Sequence, residues 1–216
     1  MNSNTIIATA LVGLSLSSLA SAAVFVDTTS QVAWETSIDS VYTSPRADYY
    51  NDQFLNIAQS GSSVTGGHGW GAFTANSLNS TSVVADTIAP NMIVANNGSG
   101  QTQLTFNFSN STGGLGGMYG VGFFFNVSST TAVWNIVATF GSTSAGVNTT
   151  FALANNWIGF YTDSPAGALT VTFTSSLASG SNNTIEVYEA VYAVVPAPGA
   201  AALLGIAGMV GARRRR

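Results

Sequence analysis

Residues 104–140 read LTFNFSNSTGGLGGMYGVGFFFNVSSTTAVWNIVATF, and apolar side chains recur at every second position within them. Leu104, Phe106 and Phe108 share one parity, Val121, Phe123 and Phe125 another, and Trp134, Ile136, Ala138 and Phe140 a third. Side chains two apart lie on the same face of an extended chain, so each set predicts a strand with one buried face. STGGLGGMYG, and further on GSTSAG, TDSPAG and SLASGSNN, are rich in Gly, Ser and Asn and are read as turns. The pattern continues toward the C-terminus in Ile158 with Phe160, in Leu169, Val171 and Phe173, and in Ile185, Val187 and Val191, where Glu189 intrudes on the same parity.

The first third is less regular. Ser30 is placed to cap a short helix through Ile38, with Trp34 and Ile38 four apart and therefore on one side. Residues 48–57 read as a strand or a second short helix, the strand being preferred, and Val83, Val84, Met92 and Val94 suggest two weak strands around Pro90. No repeat of fixed period is present. Strands at this spacing, without long helical patterns between them, predict an all-β fold: an antiparallel, jelly-roll-like β-sandwich.

Composition narrows the function. Of 216 residues only 6% are charged, against 46% hydrophobic, which excludes a disordered polyelectrolyte. There is no lysine; the bases are Arg46 and the terminal run Arg213, Arg214, Arg215 and Arg216, so between the two ends nine carboxylates face a single base. Binding a phosphate backbone needs clustered cations, so nucleic acid is not an expected partner. The absence of cysteine excludes disulfides and thiol catalysis.

Both ends read as addresses. Residues 1–22 hold an apolar stretch too short for a usual membrane span and end in Ala20-Ser21-Ala22, the small-x-small pattern that a signal peptidase accepts. They are read as a signal peptide, with Ala23 as the first mature residue and the working domain over 23–195. At the other end Val195, Pro196, Ala197 and Pro198 precede fourteen apolar or small residues and then the four arginines. A helix over 198–212 would be only about 21–23 Å long against a hydrocarbon core of roughly 30 Å. The arginines fix its tip on the cytoplasmic side, which places the domain outside. The prolines mark a joint between body and tail.

The order of proline motif, short Ala/Leu/Gly helix and terminal arginine cluster resembles the PEP-CTERM sorting signal of bacterial exported proteins. Position by position, Pro196 and Pro198 match the two prolines, and Ala197 stands where the family has Glu. The resemblance implies a sorting tail over 196–216, with 213–216 cytoplasmic, and an exosortase-like processing enzyme as partner. It further implies contact with the membrane during sorting and a location at the cell surface or beyond it. The segments GMYGVGFFFNV, FALANNWIGFYTDSPAGALTVTF and NTIEVYEAVYAVVP also resemble the core strands of lectin-like ectodomains that carry such tails.

Chemistry-bearing residues are sparse. His68, the only imidazole, sits in GGHGWG and offers one metal nitrogen at most. No nucleophile elbow, HExxH or phosphate-binding glycine motif is present, and no cofactor or catalytic residue is assigned. Asp48 and Asp52 flank Tyr49 and Tyr50 at a spacing that puts both carboxylates on one strand face, whereas Glu186 and Glu189 are expected on opposite faces. Sequons at Asn79, Asn107, Asn126 and Asn148 carry no special weight in so Asn- and Thr-rich a chain.

An aromatic ring covering a sugar's apolar face, with amides pairing its hydroxyls, is how a β-sandwich holds carbohydrate; Tyr49, Tyr50 and Trp70 are the candidates, with Trp157 more core-like. The expected function is that of a non-enzymatic surface or extracellular-matrix protein in polysaccharide surroundings. A carbohydrate-binding module is the first alternative, and a secreted glycan hydrolase using Asp or Glu the second. Deleting Arg213 to Arg216 should trap or mislocalise the protein on cell fractionation; unchanged processing and localisation would contradict the sorting signal.

Overall fold

Burial follows the alternating pattern closely. In the strand Gln103–Ser109, Leu104, Phe106 and Phe108 are buried while Thr105 and Asn107 are not. Trp134–Phe140 and Ala168–Ser175 repeat the alternation. The structure, a computed structural model, describes residues 22–43, 46–54, 57–60, 63–68, 71–77, 82–86, 92–97, 101–109, 117–176 and 183–194. The segments read as signal peptide and sorting tail therefore lie outside it, except for Ala22.

In chain order the described elements are β1 (Val24–Asp27), α1 (Gln31–Val41), β2 (Asp48–Asp52), β3 (Ile57–Ser60), β4 (Ser63–His68), β5 (Gly71–Ser77), β6 (Ser82–Asp86) and β7 (Met92–Asn97). They continue with β8 (Gln103–Ser109), β9 (Met118–Val127), β10 (Trp134–Phe140), β11 (Thr143–Thr149), β12 (Asn156–Ala166), β13 (Ala168–Ser175) and β14 (Asn183–Val194). One sheet has the order β1-β12-β9-β14-β7-β6, with β2 also beside β14; the other runs β11-β10-β13-β8-β5-β4-β3. Every pairing is antiparallel. The fold is an antiparallel β-sandwich.

The two sheets meet through phenylalanine. Phe106 lies 5.0 Å from Phe123, Phe123 lies 5.3 Å from Phe173, and Phe108 meets Tyr192 at 5.5 Å, ring centroid to centroid. Each fully buried ring of this kind contributes about 1.5–3 kcal/mol relative to exposure.

Some expectations change. GSTSAG is only partly a turn: Phe140 pairs Thr143, leaving Gly141 and Ser142 as the turn, with Gly141 at φ +59 where glycine carries no steric cost. From Thr143 the chain is the edge strand β11. TDSPAG is likewise extended, because β12 runs on to Ala166. In β14 a register shift between Val187 and Glu189 reverses the parity, so Ala190, Tyr192 and Val194 enter the inter-sheet core and Val191 turns to the outer face.

The outer face of the first sheet carries a second apolar cluster of Trp34, Ile38, Ala47, Tyr119, Trp157, Val191 and Ala193. Ser30 Oγ accepts from Ala33 N and caps α1, as the sequence suggests, and Trp34 and Ile38 both point down onto the sheet. Close docking is possible because the floor lacks side chains. Gly122 and Gly159 are direct cross-strand partners, and Gly120 lies two residues away on β9. A β-carbon added at Gly122 would lie 2.1 Å from Cη2 of Trp157, and one at Gly159 2.5 Å from Cδ1 of Trp34. Two indoles thus rest against bare backbone, and Trp34 Nε1 donates to the Phe160 carbonyl at 3.2 Å.

Gly122→Ala should lower the stability measured by denaturant unfolding by about 1–3 kcal/mol, the usual range for overpacking. Gly167→Ala, where an added β-carbon meets nothing within 4 Å, should stay within about 0.5 kcal/mol. Equal effects at the two positions would contradict the trough.

Candidate functional site

The glycine trough and α1 divide the outer face of the helix-bearing sheet. Around Gly120 and Gly159 it is covered by Trp34. Farther along β9 the outward positions are Phe124 and Asn126, both only half-buried. The register sets their neighbours on β14: Glu186 opposite Asn126, and Glu189 opposite Phe124. Phe124 lies 4.7 Å from Trp157 on one side and stacks on Tyr188 at 6.1 Å and 26° on the other. The result is an aromatic strip across three adjacent strands.

Polar groups border this strip on both sides. Asn126 Nδ2 donates to Glu186 Oε2 at 3.4 Å, while its Oδ1 accepts from Asn155 N at 3.0 Å. Asn51 Nδ2 donates to Glu189 Oε1 at 2.6 Å across the β2–β14 pairing. Glu186 and Glu189 therefore share the outer face, contrary to the expectation from their spacing. The bulge between Val187 and Glu189 supplies the extra residue that brings them to one side. Each carboxylate accepts from an amide and keeps acceptor capacity, and burial together with Glu189 raises the Tyr188 hydroxyl pKa above its ordinary value. The Trp157 indole N–H is buried and has no partner among the described residues.

The residues singled out in sequence fare differently. Tyr49 faces α1, edge-on to Trp34 at 6.0 Å, with its hydroxyl 3.0 Å from both the Glu35 carbonyl and Asp39 Oδ1. It works as a strut between helix and sheet. Tyr50 is opposite Tyr192 and is 40% exposed. Asp52 is buried and receives Phe54 N at 2.7 Å and the Tyr192 hydroxyl at 3.5 Å, while Asp48 is exposed at the other end of β2. The two carboxylates thus sit in unlike surroundings. Trp70 lies outside the described residues, as does the side chain of His68. Among the described residues no group of three or more His, Cys, Asp or Glu is placed to hold a metal ion, and no helix is long and apolar enough to cross a membrane.

Phe124 and Tyr188 were not flagged by sequence. Phe124 is the out-of-parity ring in Phe123-Phe124-Phe125, which is a usable signal; Tyr188 sits in the bulge, where parity carries none.

Neither a scan of protein-family models nor a search of curated proteins gave a match. Among solved structures the chain is similar to a family two carbohydrate esterase from Cellvibrio japonicus, with TM-score 0.39 and 8% identity over 71% of this chain and 36% of that one. It is also similar to TmCBM61 in complex with beta-1,4-galactotriose, with TM-score 0.35 and 10% identity over 72% and 93%. A family 29 carbohydrate-binding module complexed with mannohexaose aligns with TM-score 0.39 and 11% identity over 70% and 94%. The chain spans 36% of the length of the esterase.

The tyrosines that fasten α1 give the face a pH signature. Burial, first, then Tyr119 and Asp163 push the Tyr42 phenol far above its usual range; burial and the Asp39 hydrogen bond do the same to Tyr49. The fold holds both phenols neutral, so their contribution is full below about pH 10, where unfolded tyrosine ionises, and falls as pH rises beyond it. Denaturation midpoints should decline as pH rises beyond that point, less steeply in Tyr49→Phe. A midpoint that is level through the alkaline range would contradict this.

Proposed function

We propose that this chain is an exported, non-enzymatic surface protein that holds polysaccharide on the open half of its helix-bearing sheet. The observation that carries this is the half-buried Phe124–Tyr188 stack on the outer face, bounded by Asn126–Glu186 on one side and Asn51–Glu189 on the other. Ring faces match the apolar C–H face of a pyranose, and fixed amide–carboxylate pairs present the acceptors and donors its hydroxyls need. The surface carries too few cations to favour an anionic nucleic acid.

In this reading the terminal segments serve transport: residues 1–22 as signal peptide, and the tail from Pro196 as a PEP-CTERM-like substrate of an exosortase-type enzyme. The sandwich is then what remains at the cell surface or in the extracellular matrix. Its jelly-roll-like strand order suits that role, since the sheet face presented to ligand is built on rigid strands.

Binding to a panel of plant and bacterial polysaccharides by affinity electrophoresis should show retardation by at least one neutral glycan. Tyr188→Ala should weaken that binding about tenfold, equivalent to 1.4 kcal/mol, in keeping with the loss of one stacking ring. Retardation that is unchanged in Tyr188→Ala, or absent throughout, would contradict the assignment.

A further inference from the structure

The first residue after the predicted signal peptide is already fastened to the sandwich. Ala23 N donates to Asp163 Oδ1 at 2.8 Å, and Asp163 N donates back to the Ala23 carbonyl at 3.2 Å. These contacts extend the β1–β12 ladder, in which Val24 pairs Thr162 and Asp27 pairs Gly159, by one residue at its N-terminal end. β1 is an edge strand, and Val24 and Val26 pack against the inter-sheet core. Whatever holds residue 23 in place therefore helps hold that edge closed.

We propose that the Ala22–Ala23 peptide bond is cut on export and that the α-ammonium released at Ala23 forms an ion pair with the Asp163 carboxylate, locking β1 onto β12. The proposal rests on the export of the chain. The cut is a hydrolysis: the C–N bond breaks, hydroxide adds to the Ala22 carbonyl carbon, and the Ala23 nitrogen takes the proton. An α-amine with an ordinary pKa of about 7.7–8.0 takes up a further proton at neutral pH. A neutral amide donor thereby becomes a cationic one without moving, and its hydrogen bond to carboxylate becomes charge-assisted. Tyr42 also interacts electrostatically with Asp163, and its hydroxyl donates to the Thr162 carbonyl, so it stays neutral beside the new pair.

The composition makes the claim unusually easy to test. The chain has no lysine, so this α-amine would be the sole primary amine of the processed protein. The full-length chain is expressed in an exporting bacterial host, and the recovered protein is sequenced from its N-terminus and then reductively methylated with 13C-formaldehyde, which preserves the charge. Three results support the proposal together: an N-terminus at Ala23, a single labelled amine, and a methyl resonance whose titration midpoint lies about 0.5 unit or more above that in Asp163→Asn. Acetylating the same amine should lower the thermal midpoint of the wild type and leave that of Asp163→Asn unchanged, the coupling expected of a direct pair.

An exported protein cut elsewhere would overturn the site while leaving export standing. A start at Ala23 with equal titration midpoints in the two proteins would overturn the ion pair. An uncut chain in the cytoplasm would overturn export itself.

Discussion

Three missing β-carbons organise the outer face of the helix-bearing sheet. Gly120, Gly122 and Gly159 leave a strip of bare backbone on two adjacent strands, and a β-carbon at any of them would come within 3 Å of an existing atom. The indoles of Trp34 and Trp157 fill that strip, edge to face at 5.7 Å. An indole lying directly on backbone lets α1 approach more closely than side chains would allow, and lets Trp34 reach the Phe160 carbonyl. The helix then needs only local fastenings, which Tyr42 and Tyr49 supply through their hydroxyls. Apolar burial beneath α1 and the polar contacts at its margins act in the same direction.

The same arrangement explains why β9 is apolar on both faces. Met118, Val121, Phe123, Phe125 and Val127 serve the inter-sheet core, while Tyr119 and Phe124 serve the outer cluster. Beyond the reach of α1 this second layer continues as Phe124 and Tyr188, with hydrogen-bonded Asn–Glu pairs in place of a covering helix. One irregularity in β14 makes that possible, because the shift between Val187 and Glu189 brings Tyr188 against Phe124 and both glutamates onto one face. The face is thus built from two departures from regular strand chemistry, glycine in a central strand and a bulge in its neighbour.

Much of the fold was legible because most core strands keep a strict period of two with large apolar residues on one parity. Leu104 to Phe108, Trp134 to Phe140 and Leu169 to Phe173 are of this kind, and so is the capped helix with Trp34 and Ile38 four apart. The edge strand β11 and the strands β3 to β5 were not legible. β11 and the β3–β5 meander are made largely of Ser, Thr, Ala, Gly and Asn, whose small side chains give no parity signal and mimic turn composition. The site was legible only in part. Tyr49 looks like a ligand platform in sequence, but its hydroxyl is engaged by α1. The glutamate pair was misassigned because spacing alone cannot anticipate a bulge. The glycines of GVG and WIG carry meaning only once the register sets Gly122 opposite Gly159.

The most direct test of the central claim is a residue-resolved NMR titration of the folded protein with a soluble neutral oligosaccharide. Amide and side-chain shifts should concentrate at Phe124, Asn126, Glu186, Tyr188 and Glu189 and at the Trp157 indole N–H, while the Trp34 indole, bonded to Phe160 beneath α1, stays still. Perturbations centred on residues 66–71, or a spectrum unmoved by every oligosaccharide, would contradict the assignment of this face.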